Sequence, residues 1–231
     1  DRYALVVREK GGRLVRTHRY PAEKNVVSSC DTLFISDEKN VTMRIHHTYR
    51  GIRYDEILPV ITLRGEQRKR LVASLYDLGN ASIQSIDVSE VRRRIPEATL
   101  NMSVELPRYN FVSNDRYIIQ PLLLRKPFTL QRISGKRQNP VDIRRSWVDA
   151  DTVCIVRPEN YTIESMPEKK TAASAFGNYS AHFEEHAKTV VYIRTLEIKK
   201  HRAPARSISL LRGFIDSVSH NDNAFISFVE K

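Results

Sequence analysis

The sequence predicts a mainly β protein of the α+β class, with two β-sandwich-like domains that each carry one packed helix. Two observations support this class. Several segments alternate apolar and polar residues with the period of two that is typical of half-buried strands, most clearly residues 99–106. One segment in each half of the chain has instead the spacing of an amphipathic helix. With 231 residues, the chain is long enough to bury a core without disulfides or metals.

The predicted N-terminal domain comprises residues 1–127 and begins with a hairpin. Two short apolar runs flank Gly11–Gly12, a pair that is typical of tight hairpin turns. Residues 21–31 are predicted to form a loop. The strand predicted at residues 41–50 places five residues on one face, because side chains alternate along a strand. These five residues are Val41, Met43, Ile45, His47 and Tyr49.

A helix is predicted near residues 66–78, and Gly79–Asn80 supplies its C-terminal stop. Its apolar stripe consists of Leu71, Val72, Leu75 and Leu78. Further along, residues 128–140 are basic and contain Gly135 and Pro140. Because Gly and Pro interrupt regular structure, this segment is predicted to be the linker between the two domains.

The predicted C-terminal domain comprises residues 141–231, with a helix near residues 207–219. Strands are predicted at residues 152–157, 161–166, 178–183, 189–198 and 224–229. The order of a long strand, a loop, a helix and a returning strand occurs once in each half. This order predicts a weak internal duplication, with chance similarity between two amphipathic segments as the alternative.

The chain is basic, with 38 Lys and Arg residues against 27 Asp and Glu residues and a formal net charge of +11. Such an excess favours contact with a polyanion, such as nucleic acid or an acidic polysaccharide. The basic residues occur in small groups, so a merely solvated basic surface is the alternative. The candidate polyanion contacts lie around the linker and are Arg125, Lys126, Arg132, Lys136, Arg137, Arg144 and Arg145.

Two cysteines, Cys30 and Cys154, lie far apart in the sequence, and either a disulfide bridge or two free thiols fit them. No apolar run approaches the roughly 20 residues that a membrane-spanning helix needs. The chain opens on Asp1 without a Met or a signal-peptide pattern, so we expect a processed product or an excised fragment.

One segment has the letters of a zinc-peptidase signature, H-x-x-E-H, at His182, Glu185 and His186. That site needs a helix, because two His residues four apart must project together onto one ion. The flanking residues 178–183 alternate with period two, however, and residues 189–198 are rich in β-branched side chains. The sequence therefore predicts a β-hairpin whose turn contains these residues, and an autonomous hydrolase is the disfavoured alternative.

The remaining polar residues are predicted to have structural roles and not catalytic or ligand-binding ones. His46 and His47 are neighbours in a predicted strand and project to opposite faces, so they cannot hold one metal together. Arg194 interrupts an apolar strand face and is expected to pair with a carboxylate or with carbonyl groups. No Gly-rich phosphate loop and no G-x-S-x-G elbow occurs. We therefore expect no catalytic, cofactor-binding or metal-ligating residue and no cofactor.

Motifs in the second half resemble a known bacterial domain. The run from Pro158 to Glu168 has the pattern P-x-x-Y-x-x-x-x-x-P-E, and Phe176–Gly177–Asn178–Tyr179 follows it. With the Leu211–Ile215 segment, these motifs resemble the C-terminal domain of unknown function that follows the transglutaminase-like core in multidomain bacterial proteins. The resemblance spans residues 137–231 and departs from the family pattern at Ile208, where the family often has Tyr.

The resemblance implies a non-catalytic accessory or binding module, exported to the periplasm or cell surface. Its implied partner is the upstream transglutaminase-like domain of the same full-length protein. That core carries a Cys-His-Asp triad, to which no position of this chain corresponds, so no catalytic residue is carried over. The alternative function is a polyanion-binding module that uses the basic surface to bind nucleic acid or acidic polysaccharide.

Overall fold

An eight-stranded sheet is the main feature of the computed structural model. The model describes residues 3–36, 40–76, 78, 81–107, 111–113, 116–122, 130 and 137–231. The helices are α1 (Tyr54–Thr62), α2 (Gly65–Leu75) and α3 (Ile208–Asp222). The strands of the first half are β1 (Tyr3–Arg8), β2 (Gly11–Arg16), β3 (Val26–Ile35), β4 (Val41–Arg50), β5 (Ser82–Val91), β6 (Glu97–Leu106), β7 (Phe111–Ser113) and β8 (Arg116–Ile119). Those of the second half are β9 (Val141–Ile143), β10 (Trp147–Val156), β11 (Tyr161–Ser165), β12 (Lys170–Ser174), β13 (Gly177–Glu185), β14 (Thr189–Ile198), β15 (His201–Ala203) and β16 (Ile226–Glu230).

The large sheet has the strand order β12-β13-β14-β10-β3-β4-β6-β5. Strands β10 and β3 run parallel, and the other neighbours are antiparallel. Three smaller sheets accompany it, in the orders β1-β2, β11-β16-β8-β7 and β15-β9. The predicted class, mainly β and α+β, is therefore confirmed.

The large sheet crosses the predicted domain boundary. Strand β3 belongs to the first half and β10 to the second, yet they pair along nine residue positions from Val26–Val148 to Phe34–Val156. The expectation of two separate sandwiches is therefore corrected, because strands of both halves share one sheet. The division of the chain into residues 1–127, 128–140 and 141–231 stays a prediction.

One face of the large sheet carries the core. The alternation predicted for β4 and β6 is confirmed, since Val41, Met43, Leu100 and Val104 are buried on this face. Helices α1 and α2 cover it over β4, β5 and β6, whereas α3 packs on β12 and β13. The four-stranded sheet adds Tyr117, Ile119, Tyr161, Ile226 and Phe228 to the same core.

The predicted helix near residues 66–78 is confirmed as α2, although it ends at Leu75, and its predicted stop at Gly79–Asn80 lies outside the described residues. The helix predicted near 207–219 is confirmed as α3, with Leu211, Phe214, Ile215 and Val218 buried. Within the described residues, no helix is long and apolar enough to cross a membrane.

Two elements differ from the prediction. Residues 26–31, expected to be a loop, form the first part of β3 in the centre of the sheet. The segment after β4, expected to be a loop, contains α1, in which Tyr54, Ile57 and Val60 repeat every three residues and are buried. The helix was overlooked because it has only 9 residues and contains Pro59, which normally interrupts a helix.

The two halves differ in topology, which does not support an internal duplication. After β4 the chain returns to the large sheet as β5, whereas after β14 it returns to the four-stranded sheet as β16. The proposed repeat aligns Val41–Arg44 with Val191–Arg194, and the aligned arginines also differ, since Arg44 is exposed and Arg194 is buried.

Candidate functional site

The H-x-x-E-H segment lies in a β-hairpin. His182 belongs to β13, Glu185 pairs with Val190 of β14, and the His186 backbone N–H donates to the Thr189 carbonyl at 2.8 Å. The hairpin prediction is therefore confirmed. In the part of the chain that the structure describes, no three His, Cys, Asp or Glu side chains form a group that could hold a metal ion.

A row of buried polar residues crosses the centre of the large sheet. The strand register places Arg194 opposite Asp151, Asp151 opposite Ser29, and Ser29 opposite His47. All four are at most 6% exposed. The row therefore connects the two halves of the chain through side chains as well as through the backbone ladder.

Arg194 lies at one end of this row and forms two buried ion pairs. Its Nη1 donates to Asp151 Oδ2 at 2.7 Å, and its Nε and Nη2 donate to the two carboxylate oxygens of Asp222, each at 2.7 Å. Ser29 Oγ donates to Asp151 Oδ1 at 2.5 Å, and Tyr179 donates its hydroxyl to Asp222 Oδ1 at 2.8 Å. The expected pairing of Arg194 with a carboxylate is confirmed, and two carboxylates share it.

The electrostatics of the row favour the charged form of Arg194. Burial alone lowers the pKa of a guanidinium, since it removes water from the charge. The hydrogen bonds with Asp222 and the negative charges of Asp151, Asp222 and Asp149 outweigh burial, so the pKa of Arg194 lies above its usual value. Asp222 ends α3, where a carboxylate is unfavourable beside the helix C-terminus, and Arg194 compensates for this charge.

A second buried network adjoins the row on β3 and β4. His47 Nε2 lies 3.0 Å from Asp31 Oδ2, and its Nδ1 lies 3.0 Å from the Tyr76 hydroxyl. The Tyr76 hydroxyl is 2.7 Å from that of Tyr49. Asp31 Oδ1 also accepts the backbone N–H of His46 at 3.2 Å. These contacts and the Ser29–Asp151 hydrogen bond explain how β3 can be a central strand, because its inward polar side chains, Ser29 and Asp31, have polar partners.

The sequence reading missed Ser29, Asp31, Asp151 and Asp222 as members of these networks. The sequence does indicate an inward position for Asp151, because alternation places it on the same face of β10 as the buried Val153 and Ile155.

The row is buried, and its Ser29–Asp151 hydrogen bond joins β3 of the first half to β10 of the second, where Arg194, itself paired with Asp222, holds Asp151 in place. We therefore interpret the row as a structural clamp between the halves, whereas the His47 network stabilises the first half alone.

Tyr192 lies beside Arg194 on the same strand face, and we expect the ionisation of its phenol to make the stability depend on pH. Burial, followed by the charge of Asp222, raises the pKa of the Tyr192 phenol to about 12. In the unfolded chain the Tyr192 phenol ionises near pH 10. Its contribution to the free energy of unfolding is therefore fully present below pH 10 and is lost as the pH rises toward 12. We expect the free energy of unfolding to fall by about 2–3 kcal/mol over that window from this group.

Urea denaturation at pH 9, 10.5 and 11.5 measures this effect, with Tyr192→Phe as the variant that lacks the ionisable hydroxyl. The free energy of unfolding of the wild type minus that of the variant should decrease steadily as the pH rises. A difference that stays constant over the three pH values would show that Tyr192 does not titrate with folding.

The opposite face of the large sheet is open and carries both cysteines. Cys30 lies beside Thr152 of β10, and Cys154 lies beside Thr32 of β3. Both are free thiols in the structure. On the same face, His46 Nδ1 lies 2.7 Å from Asn101 Oδ1.

The β1-β2 hairpin exposes an apolar face. Leu5 pairs directly with Leu14, and Tyr3 and Val7 lie on the same face two positions to either side of Leu5. These four side chains are 63–79% exposed. In the described chain, only one other large apolar side chain, Leu210, is more than 60% exposed. The hairpin is therefore the largest group of strongly exposed apolar side chains in the described structure.

The candidate polyanion contacts are distributed over different environments. Arg125, Lys126, Arg132 and Lys136 lie outside the described residues. Arg137 donates to the backbone carbonyls of Asn139 and Pro140 at 2.9 and 3.0 Å. Arg144 and Arg145 line a cleft in the described structure. Their role in binding stays a prediction.

This basic cleft lies at the base of the hairpin and has a volume of about 230 Å³. The residues that line it include His18, Arg19, Tyr20, Asp55, Arg144 and Arg145. A second cleft of about 590 Å³ adjoins it at Arg19, Tyr20 and Ser146 and adds Glu23, Glu197, Lys199 and Lys200. The sequence reading missed Arg19, Lys199 and Lys200, because the fold brings them together from distant segments.

Comparisons with known proteins find a similarity in the second half. Residues 115–228 match the model of a family described as "Domain of Unknown Function with solved-structure structure" (DUF3858). No curated protein matches the chain. A solved structure from Parabacteroides distasonis ATCC 8503, described as a "putative protease", is 17% identical with a TM-score of 0.39. That likeness covers 50% of this chain and 24% of the other chain, so it spans about a quarter of the Parabacteroides protein.

The family match confirms one part of the resemblance, namely that the second half is similar to a domain of unknown function. The matched span begins at residue 115, before the predicted linker at residues 128–140. It therefore includes β8, which pairs with β16 near the C-terminus.

Proposed function

We propose that the chain is a non-catalytic accessory module that docks onto a neighbouring domain through the apolar face of the β1-β2 hairpin. The neighbour is the upstream transglutaminase-like domain of the same full-length protein, which the sequence resemblance implies. The exposed apolar face of the hairpin is the observation that carries this proposal.

The hairpin has little apolar burial of its own. Its two strands form a separate sheet, and a two-stranded hairpin is marginally stable by itself in water. Leu5, Leu14 and Val7 leave more than 60% of their surface exposed. Large contiguous apolar surface on a folded protein is typical of an interaction site, so a covering partner explains this composition.

The charges around the apolar face define the partner further. Arg16 pairs with Tyr3 at one end of the face, and Lys10 lies in the turn at the other end. Glu9 is the only acidic residue of the described hairpin. Charge complementarity at the rim of an interface directs association. The docking surface of the partner is therefore apolar at its centre and acidic at its edge.

Docking can be measured by biolayer interferometry between this chain and the separately produced domain encoded directly upstream of it. The test variant is Leu5→Ser/Leu14→Ser. Each buried Leu contributes about 1.5–3 kcal/mol, so the double variant should weaken docking by at least about 100-fold. The affinity of the wild-type chain should depend only weakly on salt, because the interface centre is apolar.

The matched control is Leu210→Ser/Phe225→Ser, which removes two apolar side chains that are 69% and 50% exposed outside the hairpin. This control should dock like the wild type. Equal affinities for the hairpin variant and the wild type would refute docking through this face.

A further inference from the structure

The joined clefts at the base of the hairpin carry cations without local partners. Arg144 lies 3.3 Å from Asp142, but this ion pair is largely exposed and therefore weak. Around the clefts in the described structure, Arg19, Arg145, Lys199 and Lys200 have no carboxylate within ion-pair distance. Four unpaired cations that line adjoining clefts attract an anionic ligand.

The cleft walls are held in place by one buried side chain. Asn25 is 2% exposed, and its amide N–H groups donate to the carbonyls of Ser146 at 3.0 Å, Pro21 at 3.3 Å and Tyr20 at 3.4 Å. Its Oδ1 accepts the backbone N–H of Ile52 at 3.2 Å. Asn25 thus connects three segments that are distant in sequence. A ligand meets a pre-organised site, which lowers the entropic cost of binding.

The lining also contains groups that select among anions. Asp55 lies in the smaller cleft, and Glu23 and Glu197 lie in the larger one. These carboxylates disfavour polyphosphate and DNA, in which every unit carries a phosphate charge but no hydroxyl group that could donate to a carboxylate. They accept hydrogen bonds from the hydroxyl groups of a sugar, however, and the half-buried Tyr20 lines both clefts.

We propose that the joined clefts bind an acidic oligosaccharide of the uronic-acid class. Its carboxylates pair with Arg19, Arg145 and the Lys199–Lys200 pair, and its hydroxyl groups donate to Asp55 and Glu197. Arg is suited to this role because its planar guanidinium binds a carboxylate through two parallel hydrogen bonds. This proposal does not depend on docking through the hairpin.

Isothermal titration of the full chain with tetragalacturonate at 0.15 M salt tests the proposal. We expect a dissociation constant below about 1 mM and no measurable binding of the neutral maltotetraose. The variant Arg19→Gln/Arg145→Gln removes two exposed, unpaired cations and should weaken tetragalacturonate binding at least about tenfold. Circular dichroism should confirm that this variant is folded.

The matched control is Arg70→Gln/Arg212→Gln, which makes the same change of net charge at exposed residues outside the clefts. It should bind tetragalacturonate like the wild type. A similar loss in both double variants would overturn the proposal, since it would indicate a general effect of net charge.

Three further results would overturn the proposal. These are no binding of tetragalacturonate, unchanged binding by Arg19→Gln/Arg145→Gln, and tighter binding of tripolyphosphate or of a ten-residue thymidine oligonucleotide. The docking variant Leu5→Ser/Leu14→Ser should bind tetragalacturonate normally. Loss of docking and loss of oligosaccharide binding are therefore separate outcomes.

Discussion

Replacing Arg194 with Met is expected to lower the free energy of unfolding by about 3–5 kcal/mol. The substitution leaves the carboxylates of Asp151 and Asp222 without the cation that lies 2.7 Å from each of them. Asp151 is only 1% exposed, so water cannot replace the lost partner. Removing one partner of a buried ion pair destabilises a protein more than removing all of the charges together, because the remaining buried charge has no partner.

The charges of the row, and not the shape of Arg194 alone, should account for this loss. The triple variant Arg194→Met/Asp151→Asn/Asp222→Asn removes all three charges and should recover most of the lost stability. Arg44→Met, on the exposed face of β4, is the control and should cost no more than about 1 kcal/mol, because it loses only the cation–π contact with Phe34. Urea denaturation followed by the fluorescence of Trp147 measures all four proteins. A triple variant as unstable as Arg194→Met would show that packing dominates.

Replacing Gly51 with Ala is expected to destabilise the protein by about 3 kcal/mol or more. Gly51 has a φ of +66°, which L-residues with a side chain adopt at a cost. A Cβ atom at this position would lie 2.2 Å from the carbonyl oxygen of Lys24 and 2.6 Å from Asn25 Oδ1. Both contacts are far shorter than van der Waals contact. One involves backbone, which cannot rotate away as a long side chain can.

Gly65→Ala is a matched control for this prediction. Gly65 has a φ of +52°, but a Cβ atom there would have no neighbour within 4 Å. The Gly65→Ala substitution should therefore lower the free energy of unfolding by only about 1–2 kcal/mol, the cost of a left-handed backbone conformation for a residue with a side chain. Thermal and urea denaturation of both variants separate the steric part from the backbone part. Equal losses in the two variants would mean that the segment around Lys24 shifts without cost.

The contact at Gly51 also connects stability to the proposed oligosaccharide cleft. The Asn25 oxygen that a Cβ atom would meet is the one that accepts the Ile52 backbone N–H. Any Gly51→Ala protein that remains folded should therefore bind tetragalacturonate less tightly. The reason is that Asn25 would no longer hold the cleft walls in the same positions.

The inward faces of several strands could be predicted from the sequence because a period of two is a local property of the backbone. This is why Met43, Ile45 and Leu100 were placed in the core correctly, and why His47 was placed on the same face. The same reasoning excluded a helix at His182–His186 and correctly predicted the hairpin. Arg194 was identified as a paired residue because it interrupts an apolar face.

The residues that Arg194 and His47 contact could not be predicted in this way. Alternation determines which face a side chain occupies, but it does not determine which strand lies beside it. Ser29 and Asp31 were assigned to a loop because they are polar, and their inward positions are stable only with Asp151 and His47 as partners.

The sequence by itself therefore determined the class of fold, the inward face of the main strands, the hairpin at His182–His186 and the basic character of the chain. Only the tertiary structure decided that β3 pairs in parallel with β10, which joins the two halves in one sheet. It also decided that Arg19, Arg145 and Lys199 line adjoining clefts. The physical reason is that local periodicity acts over a few residues, whereas these contacts join segments more than 50 residues apart and depend on the packing of the whole chain.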